Sequence, residues 1–425
     1  MHKKVLIITY YWPPAGGPGV QRWLKFVKYL PEFNVEPIVF VPEHANYPII
    51  DKSLDTDISK DLQVIKHPIK EPYKLASFLS KGKANTISRG IINEHKKQSL
   101  LEKIMLFVRG NFFIPDARIG WVKPAFQFLN KYLLENQIDT VITTGPPHSI
   151  HLIGLRLRQT LAIKWLADFR DPWTTIGYHK QLKLTKQSKK KHKTLERQVL
   201  TEANHIIVTS QNTKTEFKTI TNQPIEVITN GYDDEVCQEF QLDAKFTLSH
   251  IGSFLSNRNP EILWKVLSEL IREKEDFAKD FRLNLVGFVS DEILHDLEAY
   301  NLISYVNNIG YVSHLEAVRF QKKSQLLLLV EINSEETKCI IPGKLFEYMV
   351  SGRPIIAIGP ESSDIEHIIN DTKTGTYFKY NDFKLLKNSI LRHYGAFKLK
   401  ALKSQPEGLQ KYHRRTLTKS LSQLL

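Results

Sequence analysis

The sequence predicts an α/β protein of two doubly wound domains, each a parallel sheet with helices on both faces. Three observations point there. Its 425 residues suffice for about two domains of roughly 150–200 residues each. Short apolar runs of strand length alternate with amphipathic stretches of helix length, the pattern of repeated βαβ units. That alternation stops at Thr229-Asn230-Gly231-Tyr232, where Asn-Gly marks a turn, and then begins afresh.

In chain order, strands are expected over residues 5–10, 36–41, 140–144, 163–167 and 205–209. Such near-continuous apolar runs suit strands covered on both faces. Helical periodicity places helices over 21–30, 122–136 and 148–160. The stretch 51–115 is less regular and richer in Lys and Ser, and is expected to be an insertion of helices and loops. Past the turn, strands are expected over 246–251, 283–286, 325–330, 354–358 and 375–378. Helices are expected over 261–272, 291–300, 315–322, 342–350 and 364–370. Leu409, Leu417, Leu421 and Leu425 recur with helical spacing, so 406–425 is read as a closing helix.

Hydrophobic residues make up 42% and charged residues 24% of the chain, an ordinary globular balance. No run of ~18 apolar residues could span a bilayer. Met1-His2-Lys3-Lys4 leads into Val5-Leu6-Ile7-Ile8, too short for a signal-peptide core and without a small-residue cleavage site. Two cysteines, Cys237 and Cys339, fit a reducing compartment and exclude a disulfide framework. The expectation is a cytoplasmic protein. The net charge of +14 is lopsided: residues 1–230 hold 34 Lys+Arg against 19 Asp+Glu, and residues 231–425 hold 25 against 26. Such asymmetry suggests an anionic membrane surface as partner of the first half, a plain basic surface being the alternative. Nucleic acid is not expected, since no binding motif accompanies the charge.

Several segments could carry chemistry. Trp12-Pro13-Pro14-Ala15-Gly16-Gly17-Pro18-Gly19-Val20-Gln21-Arg22 follows the first strand and opens a helix. Ligands of open parallel sheets bind beyond the carboxyl ends of strands, and glycines there let backbone N–H groups approach. Pro342-Gly343-Lys344-Leu345-Phe346-Glu347 starts a helix at an equivalent place. Lys344 and Glu347, three apart, share a face. There Lys344 can meet phosphate and Glu347 can accept from two ribose hydroxyls; an exposed local ion pair is the alternative. Gly252-Ser253 and Arg258 follow the first strand of the second half, and the planar fork of Arg258 suits a diphosphate. His148 would open a helix after a central strand. Asp168, Arg170, Asp171 and Trp173 lie beyond another strand end, as a self-satisfied network or a polar patch for an acceptor. Neither Asp168 with Asp171 nor Asp233 with Asp234 makes a divalent-metal site, which needs more oxygen ligands in one place. Residues 180–197 carry Lys180, Lys183, Lys186, Lys189, Lys190, Lys191, Lys193 and Arg197 against Glu196 alone, a basic helix or loop.

Together these segments resemble the family-4 glycosyltransferases of the GT-B fold, those of bacterial polysaccharide assembly most of all. The most specific part is Pro342-Gly343-Lys344-Leu345-Phe346-Glu347-Tyr348-Met349 with Ser351-Gly352-Arg353-Pro354. Tyr11-Trp12-Pro13-Pro14, Asp168-Phe169-Arg170-Asp171-Pro172-Trp173, Asn230-Gly231-Tyr232-Asp233 and Ile309-Gly310-Tyr311-Val312 support it.

The resemblance implies two Rossmann-like domains facing across a cleft. Residues 1–229 would form the acceptor side, with 406–425 packing back on it, and 230–405 would bind the nucleotide-sugar. It implies a donor site of Gly16, Gly17, Gly252, Ser253, Arg258, Pro342, Gly343, Lys344, Leu345 and Glu347. His148, Arg258 and Lys344 would serve catalysis, and Asp168, Arg170, Asp171 and Trp173 the acceptor. It implies retention of anomeric configuration, no metal and no cofactor beyond a UDP- or GDP-linked donor. The acceptor would be a glycan or lipid-linked molecule at the inner face of the cell membrane. Many members carry a Glu eight residues before the ribose-binding one; here that place is Cys339. Many also carry a Lys five residues after the Arg; here it is Leu263, and Lys344 is the candidate substitute. A non-catalytic nucleotide-binding module or scaffold and a sugar-nucleotide epimerase of similar fold are the alternatives.

Overall fold

The computed structural model describes residues 2–71, 100–177, 179, 182–233 and 240–425. Cys237, Asp234, Lys180 and part of the expected 51–115 insertion lie outside the described residues. The chain forms two compact units, Met1–Asn230 with Arg414–Leu425, and Gly231–His413.

The first unit is a seven-stranded sheet of order β3-β2-β1-β4-β5-β6-β7. Its strands are β1 (Lys3–Ile8), β2 (Val35–Glu43), β3 (Gln63–Pro68), β4 (Thr140–Gly145), β5 (Lys164–Phe169), β6 (His205–Val208) and β7 (Ile225–Val227). Every pairing is parallel. Alternate residues of β1 serve opposite faces: Leu6 and Ile8 join one buried cluster, Val5 and Ile7 another. That period of two explains why the strand is apolar throughout. The helices are α1 (Pro18–Tyr29), α2 (Leu100–Phe112), α3 (Ile119–Glu135), α4 (Ser149–Thr160), α5 (Lys186–Glu202) and α6 (Gln211–Lys218).

The second unit is a six-stranded parallel sheet of order β10-β9-β8-β11-β12-β13. Its strands are β8 (Phe246–Ile251), β9 (Phe281–Val286), β10 (Val306–Gly310), β11 (Leu326–Val330), β12 (Ile355–Gly359) and β13 (Gly375–Lys379). Leu326, Leu328 and Val330 face one cluster; Leu327 and Leu329 face the other. The helices are α7 (Glu261–Glu273), α8 (Glu275–Asp280), α9 (Asp291–Ala299), α10 (His314–Lys323), α11 (Lys344–Val350), α12 (Asp364–Thr372) and α13 (Phe383–Lys398). Both strand orders reverse beside the first strand of the unit, at β1/β4 and at β8/β11. Such switch points are where open α/β sheets bind ligands.

The differences from expectation have physical reasons. The stretch 51–115 holds a strand, β3, at the sheet edge, where half-exposed polar residues blunt the apolar signal. β7 and β10 are also edge strands, and the middle of β10 is exposed Asn307-Asn308-Ile309. The expected closing helix over 406–425 is shorter: a 3₁₀ turn at Leu409–Tyr412 precedes α14 (Arg414–Ser422). Leu417 and Leu421 of α14 join the cluster of Trp23, Val27 and Leu30 in the first unit.

Candidate functional site

Each unit gathers candidate side chains at its own switch point. In the second unit the anchor is α11. Tyr348, fully buried, accepts from the Ile251 amide at 2.9 Å and so ties the helix to the end of β8. One turn earlier Lys344 points the same way. Its Nζ donates to the Ile251 carbonyl at 3.0 Å and lies 3.1 Å from His250 Nε2. His250 Nδ1 is 3.2 Å from the Leu328 carbonyl. A carbonyl can only accept, so Nδ1 carries the proton and Nε2 is left to accept from Lys344. Burial, with Lys344 beside it, holds His250 neutral, well below the ordinary imidazole range.

The Lys344 ammonium is itself poorly solvated. Burial first and the charge of Arg258 second push it down to about 7, against the opposing pull of Glu347. Arg258, in the 3₁₀ turn Ser256–Arg258, has a buried Nε without a hydrogen-bond partner among the described residues. Two poorly solvated cations thus sit beyond the carboxyl ends of β8 and β11, their burial only partly offset by Glu331 beside Arg258 and Glu347 beside Lys344, an arrangement that favours an anion. Gly252 is required there by its backbone conformation. Its φ of +111° is closed to most side chains, and an added Cβ would come within 3.4 Å of Lys344 Nζ. The next strand ends alike: Gly287, at φ +120°, would put a Cβ 2.6 Å from the Gly252 carbonyl oxygen.

Glu347 is half-buried and accepts from Gln321 Nε2 of α10 at 2.8 Å. The local Lys344–Glu347 ion pair left open by the sequence does not form, because each residue has another partner. Ser253 is exposed. Leu345 is fully buried in the core, and its amide donates to the Pro342 carbonyl at 3.0 Å. The Gly343 carbonyl accepts from Phe346 N at 3.2 Å. Cys339 is half-buried in the loop before α11, its Sγ donating to the Glu336 carbonyl at 3.7 Å.

Sequence reasoning missed Glu331. It directly follows β11 and is buried. Its carboxyl accepts from Ser363 Oγ and Tyr377 Oη, each at 2.7 Å. Burial nonetheless pushes it up to about 7, although those bonds and Arg258 pull the other way. The signal was there: an acid immediately after the apolar run 326–330, at a strand's carboxyl end. Gln321 and His250 gave none, being polar residues inside regular elements.

In the first unit, Asp168 at the end of β5 is the hub. Its carboxylate accepts from Arg22 Nη2 at 2.9 Å, Trp23 Nε1 at 2.8 Å and Thr144 Oγ1 at 2.8 Å. Burial alone would raise this carboxyl, but the Arg22 charge and the bonds from Arg22 and Thr144 hold it below the ordinary value. Asp168 therefore clamps α1 to β4 and β5. Arg170 donates through Nε to the Gly145 carbonyl at 3.2 Å and through Nη2 to that of Pro146. Its guanidinium lies over Gly19, where an added Cβ would meet Nη1 at 1.6 Å. Burial raises the Asp171 carboxyl, with Arg170 opposing. Gly16 already donates its N–H to the Ile49 carbonyl at 3.0 Å, and Gly17 enters α1 at φ +109°.

His148 immediately precedes α4 and is 4% exposed. Neither of its ring nitrogens has a hydrogen-bond partner among the described residues. Its ring stacks on Trp173 at 5.0 Å with 3° between planes. Burial first, then His151 and Arg170, hold it well below the ordinary imidazole range, so it is neutral at pH 7. The helix start is served instead by Asp116, which accepts from Ser149 N and Ser149 Oγ, each at 2.8 Å. The basic run forms α5 from Lys186 onward, capped by Thr185. Among the described residues no group of three or more His, Cys, Asp or Glu could hold a metal ion.

Residues 92–236 match the model of Glycosyltransferase Family 4, and residues 245–395 that of Glycosyl transferases group 1. No curated protein matches the sequence as a relative. Similar solved structures include HepE of Anabaena in complex with UDP, at 12% identity over 99% of this chain and 98% of that one, TM-score 0.61. A sucrose-phosphate synthase from Thermosynechococcus elongatus is similar at 14% identity over 99% and 94%, TM-score 0.58. The lipopolysaccharide outer core galactosyltransferase WaaB is similar at 14% identity over 99% and 98%, TM-score 0.59. At such identities the structures establish the fold alone, but they agree with the two family models, which between them take in most of the chain. With its two doubly wound parallel sheets, the chain belongs to the family-4 glycosyltransferases of the GT-B fold.

Proposed function

We propose that the protein moves a hexose, with retention of anomeric configuration, from a UDP- or GDP-sugar to a glycan or lipid-linked acceptor in cell-surface polysaccharide assembly. The observation that carries this reading is the pair of poorly solvated cations, Arg258 and Lys344, beyond β8 and β11, with the Glu347 carboxylate one helical turn from Lys344. A nucleoside diphosphate matches that set: phosphate oxygens for the cations, ribose hydroxyls for Glu347. HepE has been solved with UDP and with UDP-glucose. S. aureus TarM has been solved with UDP and a GlcNAc-glycerol.

In this reading Arg258 and Lys344 stabilise the diphosphate as it leaves, the electrostatic contribution that a metal would otherwise supply. The departing phosphate takes the acceptor proton on the same face of the sugar. His148, neutral and with both ring nitrogens unsatisfied, serves a sugar hydroxyl. Arg170, Asp171 and Trp173 form the acceptor-side patch, which Asp168 anchors from behind. The protein works in the cytoplasm, peripherally on the inner membrane face; no helix among the described residues is long and apolar enough to cross a membrane.

A thermal-shift screen with UDP, GDP, ADP and their sugars tests this. A ligand at ~100 times its dissociation constant adds about 2.7 kcal/mol. The expected result is a shift with UDP or GDP that Lys344→Ala abolishes. No shift with any nucleotide overturns it. Cys339, standing where many relatives have Glu, favours one second reading, a nucleotide-binding module without turnover. Nucleotide binding without hydrolysis or transfer from every donor tried selects it. An epimerase would instead release an isomerised sugar nucleotide.

A further inference from the structure

One helix of the first unit carries an apolar stripe on its exposed face. In α2, Ile104, Phe107, Val108 and Phe112 are 52%, 41%, 39% and 72% exposed. They occupy positions i, i+3, i+4 and i+8, a single helical face. The opposite face is the packed one: Leu106 is 2% exposed, and a Cβ on Gly110 would meet the Leu182 carbonyl oxygen at 2.7 Å. The stripe is therefore an outer surface of a helix already seated on its own unit. Four large apolar side chains in one continuous row are more than the scattered exposure normal for a folded surface.

The stripe is joined to the basic run. Asn111, between Val108 and Phe112 on the helix, accepts from the Thr185 amide at 2.8 Å and donates to the Lys183 carbonyl at 3.3 Å. Thr185 in turn caps α5. Lys183, Lys186, Lys189, Lys190 and Lys191 are all exposed. No acid occurs between Lys183 and Leu195. The first acid of α5, Glu196, is turned inward, where it accepts from Thr174 N at 3.0 Å and Thr174 Oγ1 at 2.6 Å. Nothing on that stretch offsets the lysines.

We propose that α2 and the start of α5 form a docking surface for an anionic bilayer, the α2 stripe entering the acyl boundary and the lysines meeting lipid phosphates. An apolar row flanked by cations is the arrangement that binds such an interface. A nucleic acid would use the lysines but leave Ile104 and Val108 without a role. This deepens the proposed action on lipid-linked acceptors, but it is tested without donor or turnover, so the two readings fail separately.

The test is co-sedimentation of the full chain with phosphatidylcholine vesicles and with vesicles containing phosphatidylglycerol. Binding is expected to the anionic vesicles alone. Each lysine at the surface contributes about fivefold, so a variant with Lys183→Gln, Lys186→Gln and Lys190→Gln should bind roughly a hundredfold more weakly. Phe107→Ser with Phe112→Ser, both exposed, should also release the protein while leaving its melting transition in place. Phe112→Trp should gain a blue-shifted emission on binding that brominated lipid quenches. Three outcomes would overturn the proposal: equal binding to neutral vesicles; anionic binding indifferent to the Phe substitutions; or a lipid-free dimer that those substitutions dissociate, which would assign the stripe to a second copy.

Discussion

A lysine held near neutrality is costly to the fold and useful to a ligand. The Lys344 ammonium is pushed down to about 7 by burial and by Arg258. Below pH 7 the folded protein therefore carries a charge that the unfolded chain would solvate better. Lys344→Met keeps the length of the side chain and removes that charge. It should flatten the loss of stability that this group imposes as pH falls from about 10.5 towards 7, while abolishing nucleotide binding. Denaturant melts with and without UDP check both halves. In the proposed reading an arriving diphosphate would restore the Lys344 proton. UDP affinity should then weaken as pH rises from 6 to 9, and calorimetry in buffers of different ionisation enthalpy should show proton uptake. His148 makes a parallel case. Its folded value is depressed, so its contribution is intact above the unfolded value of about 6.5 and is lost as pH falls below it. His148→Phe preserves the stack on Trp173 and removes two unsatisfied nitrogens. It should flatten the acid side of the stability profile, yet cut sugar transfer by about a hundredfold if the imidazole serves the sugar.

At the scale of elements, legibility followed burial. The central strands β1, β4, β5, β8, β11 and β12 are covered on both faces, so each read as an unbroken apolar run. Of the edge strands, β3, β7 and β10 show half-exposed polar residues and their runs dissolved, whereas β13, also at an edge, kept a readable run. Lys344 could be picked out because it stands beside helix-start chemistry, Pro342 and Gly343, at a strand's carboxyl side. Its contacts with His250 and Ile251, and that of Glu347 with Gln321, join residues 26 to 94 apart in sequence, and no local pattern encodes them. Asp168 and Asp171 looked alike in the sequence. Only the fold separates them, by handing all of the Asp168 bonds to Arg22, Trp23 and Thr144. α14 shows the same dependence. It lies far in sequence from the cluster it joins, and Leu421 there is fully buried beside the α1 residues. Leu421→Ala should cost about 2–5 kcal/mol, the range for truncating a buried leucine. The loss should be seen in urea melts of the whole protein.

The chain path of the whole molecule sets an asymmetry between its units. The second unit, Gly231–His413, is continuous; the first is completed by Arg414–Leu425, from beyond the second unit in the chain. A fragment of residues 1–230 leaves Trp23, Val27 and Leu30 without Leu417 and Leu421. It should melt earlier than the same fragment carrying 414–425 on a flexible linker, with the difference removed by Leu421→Ala. A fragment of residues 231–413 lacks no part of its core, since its two clusters draw only on its own residues. It should unfold in one cooperative step. It also holds Gly252, Arg258, Lys344 and Glu347 together, so it should bind UDP and transfer nothing. Calorimetry on the three fragments decides the matter. A 231–413 fragment that folds cooperatively but ignores UDP and GDP would show that the cations beyond β8 and β11 do not by themselves form a nucleotide site.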